Sequence, residues 1–281
     1  MKFVREQKNK SKVCKLLGVN RSNVYYQSKR KPDELENLVI QIFKEHNATY
    51  GCPRIKKALQ KQGIQASKRR IGKILKQAGL EAKHGRRKLA RNVYTAPDER
   101  YIAENLIKGM KNEKANTVWQ MDYTEMKYRG GKLYVNGIID THDKVVVISS
   151  SERATKEMSK ECMQKAVEKY GKPQIIHTDR GSIYTSTVMK DLMEELTIQR
   201  SMSAPGSPNE NQYIESFWKT LKTEIGRTQE LTKQELQMVL SYYENYYNTK
   251  RMHSSIDYYS PEEKRALLKM QYEKEGEMAF M

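Results

Sequence analysis

Apolar residues recur at two different periods along the chain, and the change of period divides it. Over residues 10–28, Val13, Leu16 and Leu17 fall at helical spacing, Gly18 interrupts, and Asn20 can cap a second helix from Arg21. Val24 then turns back on the first helix, the outline of a helix–turn–helix. The outline repeats over 53–80. Pro53 suits a first helical turn, Ile55, Ala58 and Leu59 form a stripe, and Gly63 ends it. Ser67 can cap the next helix, whose Ile71, Ile74 and Leu75 face inward. From Val118 the pattern turns to strands: VWQMDYTEMKY, KLYVNGIID and KVVVISSS, separated by Arg129-Gly130-Gly131 and Thr141-His142-Asp143. Helices near 156–170 and 186–195 then alternate with the strands QIIHTD and TIQRSMS. A Pro/Gly/Asn-rich loop at 204–211 leads into a helix near 212–226. Three consecutive strands followed by strand–helix alternation predict a mixed sheet with helices on its faces.

Charge sharpens this division. The chain carries 52 Lys+Arg against 34 Asp+Glu, a net of +18 over 281 residues. Positions 1–91 hold 25 of the basic and 6 of the acidic residues, so this front carries +19 and the body is near neutral. Such an asymmetry points to a polyanion held by the front. In the second hairpin Lys68, Arg69, Arg70, Lys73 and Lys76 lie on the outward face, and no acidic residue occurs from 46 to 80. Cations at a helix start fit entry into a DNA groove. Arg86, Arg87 and Lys88 open a basic linker that can follow a DNA backbone. No apolar run is long enough for a membrane span and none follows Met1 as in a secretory signal. Cys14, Cys52 and Cys162 are too scattered for a disulfide framework or a zinc pair, which fits a reducing cytosol.

Three carboxylates stand out by position. Asp122 lies inside the first strand, where an acidic residue is unfavourable without a role. Asp179 ends a short apolar strand, at the edge where ligands of α/β sheets gather. Glu215 sits on the helix after the loop, with Phe217, Trp218, Leu221 and Ile225 available to anchor that helix. Oxygen-only ligands suit Mg²⁺, with Mn²⁺ as substitute, and two such ions can serve phosphodiester displacement. Taken singly, each carboxylate reads as a structural cap or a surface charge.

Together with their neighbours these residues carry a resemblance. YGCPRIKKAL, NTVWQMDYTEMKY, LYVNGIID, IIHTDRGSIYTS, NENQYIESFWKTLKTEI and YYNTKRMHSSIDYYSPEE match, in order, motifs of the DDE transposases of bacterial insertion sequences. These belong to the insertion-sequence-three group, whose core is similar to retroviral integrases. Between Asp179 and Glu215 lie 35 residues, the family's usual interval. The resemblance implies an α/β RNase H-like core, a mixed five-stranded sheet with helices on both faces, preceded by small all-α helix–turn–helix domains. Its divisions would be 1–30 and 31–85 for the two helix–turn–helix units, 86–115 for the linker, 116–228 for the core and 229–281 for a helical extension. It implies Asp122, Asp179 and Glu215 as a triad for two Mg²⁺ ions that cleaves element ends and transfers the 3′-hydroxyl. Lys222 matches a basic position seven residues after the glutamate, and Lys219 lies near the same face; both would contact DNA. His177 shares the strand face of Asp179 and reads as a packing residue, with a secondary DNA contact as the alternative.

Two departures accompany the match. Asn209-Glu210-Asn211 stands where many relatives have an aspartate–asparagine pair, and His142-Asp143 replaces a usual serine–arginine. The partners implied are double-stranded DNA, both terminal inverted repeats and target, and a second copy in a dimer or larger assembly. No heptad run is present, so the chain reads as a downstream-frame product with an upstream-frame fusion partner, working in the bacterial cytoplasm at the nucleoid. The rival readings are an RNase H-like nuclease that cuts without joining, and a DNA-binding regulator with an inactive core.

Overall fold

The computed structural model describes residues 14–15, 34–83, 102–110, 114–204 and 208–278. The first helix–turn–helix expected over 1–30, apart from Cys14 and Lys15, and the linker cations Arg86, Arg87 and Lys88 lie outside the described residues.

The front unit has three helices rather than the two expected: α1 (Glu34–Glu45), α2 (Cys52–Lys61) and α3 (Lys68–Gln77). Helix α1 is the addition. Its Val39, Ile42 and Phe43 are buried against Ile55 and Leu59 of α2 and Ile71 and Leu75 of α3. Two hairpin helices alone expose half of each apolar stripe, and the third helix covers it. Ser67 caps α3 by accepting from the Arg70 amide at 3.2 Å.

The body is a five-stranded sheet of order β3-β2-β1-β4-β5, from β1 (Val118–Tyr128), β2 (Gly131–Asp140), β3 (Val146–Ser151), β4 (Ile175–Thr178) and β5 (Gln199–Met202). The first three pair antiparallel, while β4 lies parallel to both β1 and β5. Helices α4 (Lys156–Tyr170) and α5 (Thr187–Glu195) cover one face. They bury Trp119, Met121, Ile138 and Ile176 against Cys162, Met163, Leu192 and Met193. Helices α6 (Gln212–Ile225) and α7 (Lys233–Thr249) cover the other. There Met126, Val135 and Ile139 meet Ile214, Phe217, Trp218, Leu240 and Tyr247. This is an RNase H-like core. A final helix, α8 (Pro261–Met278), returns to the sheet's end. Its Arg265 bonds Asp140 at 2.9 Å and Asp143 at 2.5 Å, two carboxylates with no exposed surface. Asp143 thus serves an ion pair inside the fold, and the tail accounts for the aspartate of the His142-Asp143 departure.

Of the linker, residues 102–110 run beside β5: the Leu106 amide donates to Ser201 Oγ at 2.9 Å. Among the described residues no helix is long and apolar enough to cross a membrane.

Candidate active site

Side chains of a strand alternate, so Gln120, Asp122 and Thr124 share the face of β1 that meets α6. The helix runs along that row. Gln120 bonds the amides of Tyr213 and Ile214, Trp218 Nε1 donates to Asp122 Oδ2 at 3.1 Å, and Lys222 Nζ donates to the Thr124 hydroxyl. Across the ladder Asp122 faces Gly137 of β2. A Cβ at Gly137 would stand 2.5 Å from Trp218 Cη2, so glycine there makes the room that lets the indole reach Asp122.

Asp179 follows the last residue of β4. The β1–β4 register pairs Gln120 with His177, which brings Asp179 level with Asp122. Its Oδ1 accepts from the Gly181 amide at 2.9 Å, and a Cβ on Gly181 would meet the same oxygen at 2.9 Å. Glu215 lies in the first turn of α6 and is exposed. Burial pushes the Asp122 carboxyl up to about 7, and the Asp179 charge adds to this, with a smaller push from Glu215. Loss of hydration also raises the pKa of Asp179 and of Glu215. The three carboxylates are therefore neighbours that resist joint ionisation, a condition that a divalent cation with oxygen preference relieves. Among the described residues no three His, Cys, Asp or Glu groups form a ready-made metal cage.

Other expected residues fall in three groups. Lys222 of α6 reaches the β1 row at Thr124, two residues beyond Asp122, and Lys219 is exposed one turn after Glu215. Lys68, Arg69, Arg70, Lys73 and Lys76 are all exposed on α3, away from the carboxylates in the sequence and on a separate unit. His177 has no exposed surface; its Nδ1 and Nε2 meet the hydroxyls of Ser201 and Ser203 at 2.9 and 3.0 Å, and burial lowers its pKa to about 4. It packs the β4–β5 seam and presents nothing to DNA. Gln120 escaped the sequence reading, although a polar residue two before a mid-strand aspartate was a visible signal. Trp218 was read as an anchor and is also a hydrogen-bond donor to Asp122.

A mixed sheet of this order, with acidic groups at the β1–β4 junction and a basic three-helix unit in front, defines an integrase-core protein. Profiles of known families agree: the integrase core domain matches residues 112–208 and, in a second profile, 196–261, and an HTH-like domain matches 31–88. The chain belongs to the transposases of bacterial insertion sequences. It is 37% identical over 236 residues to the transposase for insertion sequence element IS904 of Lactococcus lactis, covering 82% of this chain and 92% of that one. It is 28% identical over 285 residues to the transposase InsF for insertion sequence IS3A of Escherichia coli, covering 94% and 98%. Among solved structures it is similar to the simian T-cell lymphotropic virus intasome, with 18% identity, a TM-score of 0.45, and 76% and 70% of the two chains covered.

Proposed function

We propose that the chain cleaves one strand at each end of its element and transfers the freed 3′-hydroxyl to another phosphodiester, using Asp122, Asp179 and Glu215. The observation that carries this reading is the placing of Asp122 on β1, Asp179 just after the neighbouring β4 and Glu215 on α6, which packs on β1, in an integrase core. The all-oxygen donor set fits Mg²⁺ or Mn²⁺. When bound, such ions supply charge for the attacking and leaving oxygens.

The residues divide the remaining work. Asp122 and Asp179 hold their carboxylates level across β1 and β4, and Glu215 approaches from α6. Trp218 orients Asp122 through its N–H. Lys222, which reaches Thr124, and the exposed Lys219 of the same helix bind the phosphate backbone next to the scissile bond. In cleavage, water oxygen bonds to phosphorus as the bond to the 3′-oxygen breaks, and that oxygen leaves as a hydroxyl. In joining, the same hydroxyl attacks a second phosphodiester and displaces another 3′-oxygen, so bonds are exchanged without a covalent protein intermediate. The outward cations of α3, with Arg86, Arg87 and Lys88, hold the DNA end, and two ends require at least two copies. Their contribution falls steeply with salt through counterion release.

The test incubates the purified protein with Mg²⁺ and a labelled duplex carrying the element's terminal repeat. Nicked and joined strands are expected from the wild type. Asp122→Ala and Asp179→Asn should each lose at least about a hundredfold in both products while retaining DNA binding. Nicks without joined strands would favour a simple nuclease, and DNA binding with neither product, in wild type and variants alike, would leave a regulator.

A further inference from the structure

We propose that Gln120 is a positioning residue that clamps the helix carrying Glu215 to the strand carrying Asp122. This rests on the triad reading above and adds to it a device that sets the distance between two of its members.

Helix α6 begins without a cap of its own. Its N-cap residue, Asn211, makes no side-chain cap bond, and the buried Asn211 Oδ1 finds no partner among the described residues. Most helices satisfy the amides of the second and third positions locally. Here those amides belong to Tyr213 and Ile214, and they donate to Gln120 Oε1 at 3.0 and 3.2 Å. The other end of the same amide is also used: Gln120 Nε2 donates to the Glu210 carbonyl at 2.8 Å. The clasp continues one step further, because the Glu210 carboxylate accepts from the Ala204 amide at 2.9 Å and so ties together the two ends of the loop before α6. Gln120 is 1% exposed, and a buried amide is held by partners of this kind.

The consequence is geometric. Gln120 precedes Asp122 by two and lies on the same strand face, while Tyr213 and Ile214 immediately precede Glu215. One side chain therefore bonds the backbone beside one carboxylate to the strand that bears the other. A residue whose removal frees the first turn of α6 would let Glu215 drift from Asp122, and groups one shell out from a metal typically change affinity or activity by about 10–100-fold.

The experiment uses the full chain with Gln120→Leu, Gln120→Glu and Asp122→Asn. It reads Mn²⁺ uptake by electron paramagnetic resonance, amide exchange at 213–214, and strand transfer as a function of DNA concentration. Gln120→Leu is expected to speed exchange at 213–214 and to raise half-saturating Mn²⁺ by about 10–100-fold. It should lower turnover while leaving the half-saturating DNA concentration unchanged. Gln120→Glu keeps an acceptor for both amides at the positive helix end and should recover most of the Mn²⁺ affinity. Wild-type Mn²⁺ uptake in Gln120→Leu would overturn the proposal. So would Gln120→Glu with native exchange but weak uptake, which also decides the matter if the leucine variant does not fold. If wild type and Asp122→Asn take up Mn²⁺ equally, the triad reading has failed. Exchange at 213–214 then still judges the clamp by itself.

Discussion

Burial decides what His177 does. In the unfolded chain an imidazole titrates near 6.5, whereas between the hydroxyls of Ser201 and Ser203 it stays neutral down to about 4. Between those values the unfolded state binds the extra proton, so stability rises with pH in that window. The contribution is whole above about 6.5 and is lost as pH falls toward 4, amounting to about 3 kcal/mol by linkage. Asp122 acts with the opposite sign, since its raised pKa favours the protonated fold and costs stability as pH climbs toward 7. A difference measurement removes that background. The urea midpoint at pH 7 minus that at pH 4.5 should be more positive in the wild type than in His177→Gln, because only the wild type carries the imidazole contribution. An equal separation in both would place the titration on another group. From sequence, a histidine two before Asp179 could be given a strand face, but no local pattern says whether that face is open.

At the scale of elements, α6 and the sheet fit through one missing side chain. Gly137→Ala places a Cβ 2.5 Å from Trp218 Cη2 and 2.8 Å from Cζ2, so the indole or β2 has to shift. Overpacking of this kind costs about 1–3 kcal/mol. The expected outcome is a lower urea midpoint together with slower strand transfer, because the displaced indole is the donor to Asp122. A variant with an unchanged midpoint would show that the contact yields freely. The strands and helices of the body were legible because period-2 and period-3.6 patterns are local properties of the chain. Helix α1 was not read as an element, although its Val39, Ile42 and Phe43 carry the spacing. The partner of Asp122 across the ladder was not legible either, since register depends on where the intervening hairpin turns.

Across the whole molecule, the tail joins the front unit to the core. Arg251, just beyond α7, meets Glu224 at the end of α6 at 2.7 Å, with the two side chains only 4% and 8% exposed. One residue later the Met252 amide donates to the Tyr50 hydroxyl at 2.9 Å, and Met252 enters the core of the three-helix unit. His46 of that unit stacks on Tyr50 and bonds the Tyr246 hydroxyl of α7 at 3.1 Å. One chain of contacts thus runs from the Glu215 helix to the basic front. Arg251→Met strands a buried Glu224 and should destabilise the protein by about 3–5 kcal/mol. Adding Glu224→Leu should return part of that loss, because the second change removes the unpaired charge. Denaturant midpoints of the two singles and the double test this; a double variant whose loss equals the sum of the singles would show that the pair is not coupled.

Neighbouring residues are enough to fix the periods of the elements, the basic front, the outward cations of α3, and the ordered motifs that mark an insertion-sequence transposase. Each of these is written in neighbouring residues, through side-chain alternation, capping and charge. It takes the packed fold to show that Gln120 caps a helix that lacks its own cap, that Gly137 opens space for Trp218, and that Asp140 and Asp143 answer to Arg265. The same packing makes His177 internal. Those relations join residues far apart in the chain. They depend on strand register and helix docking, which side-chain packing selects and no local pattern contains.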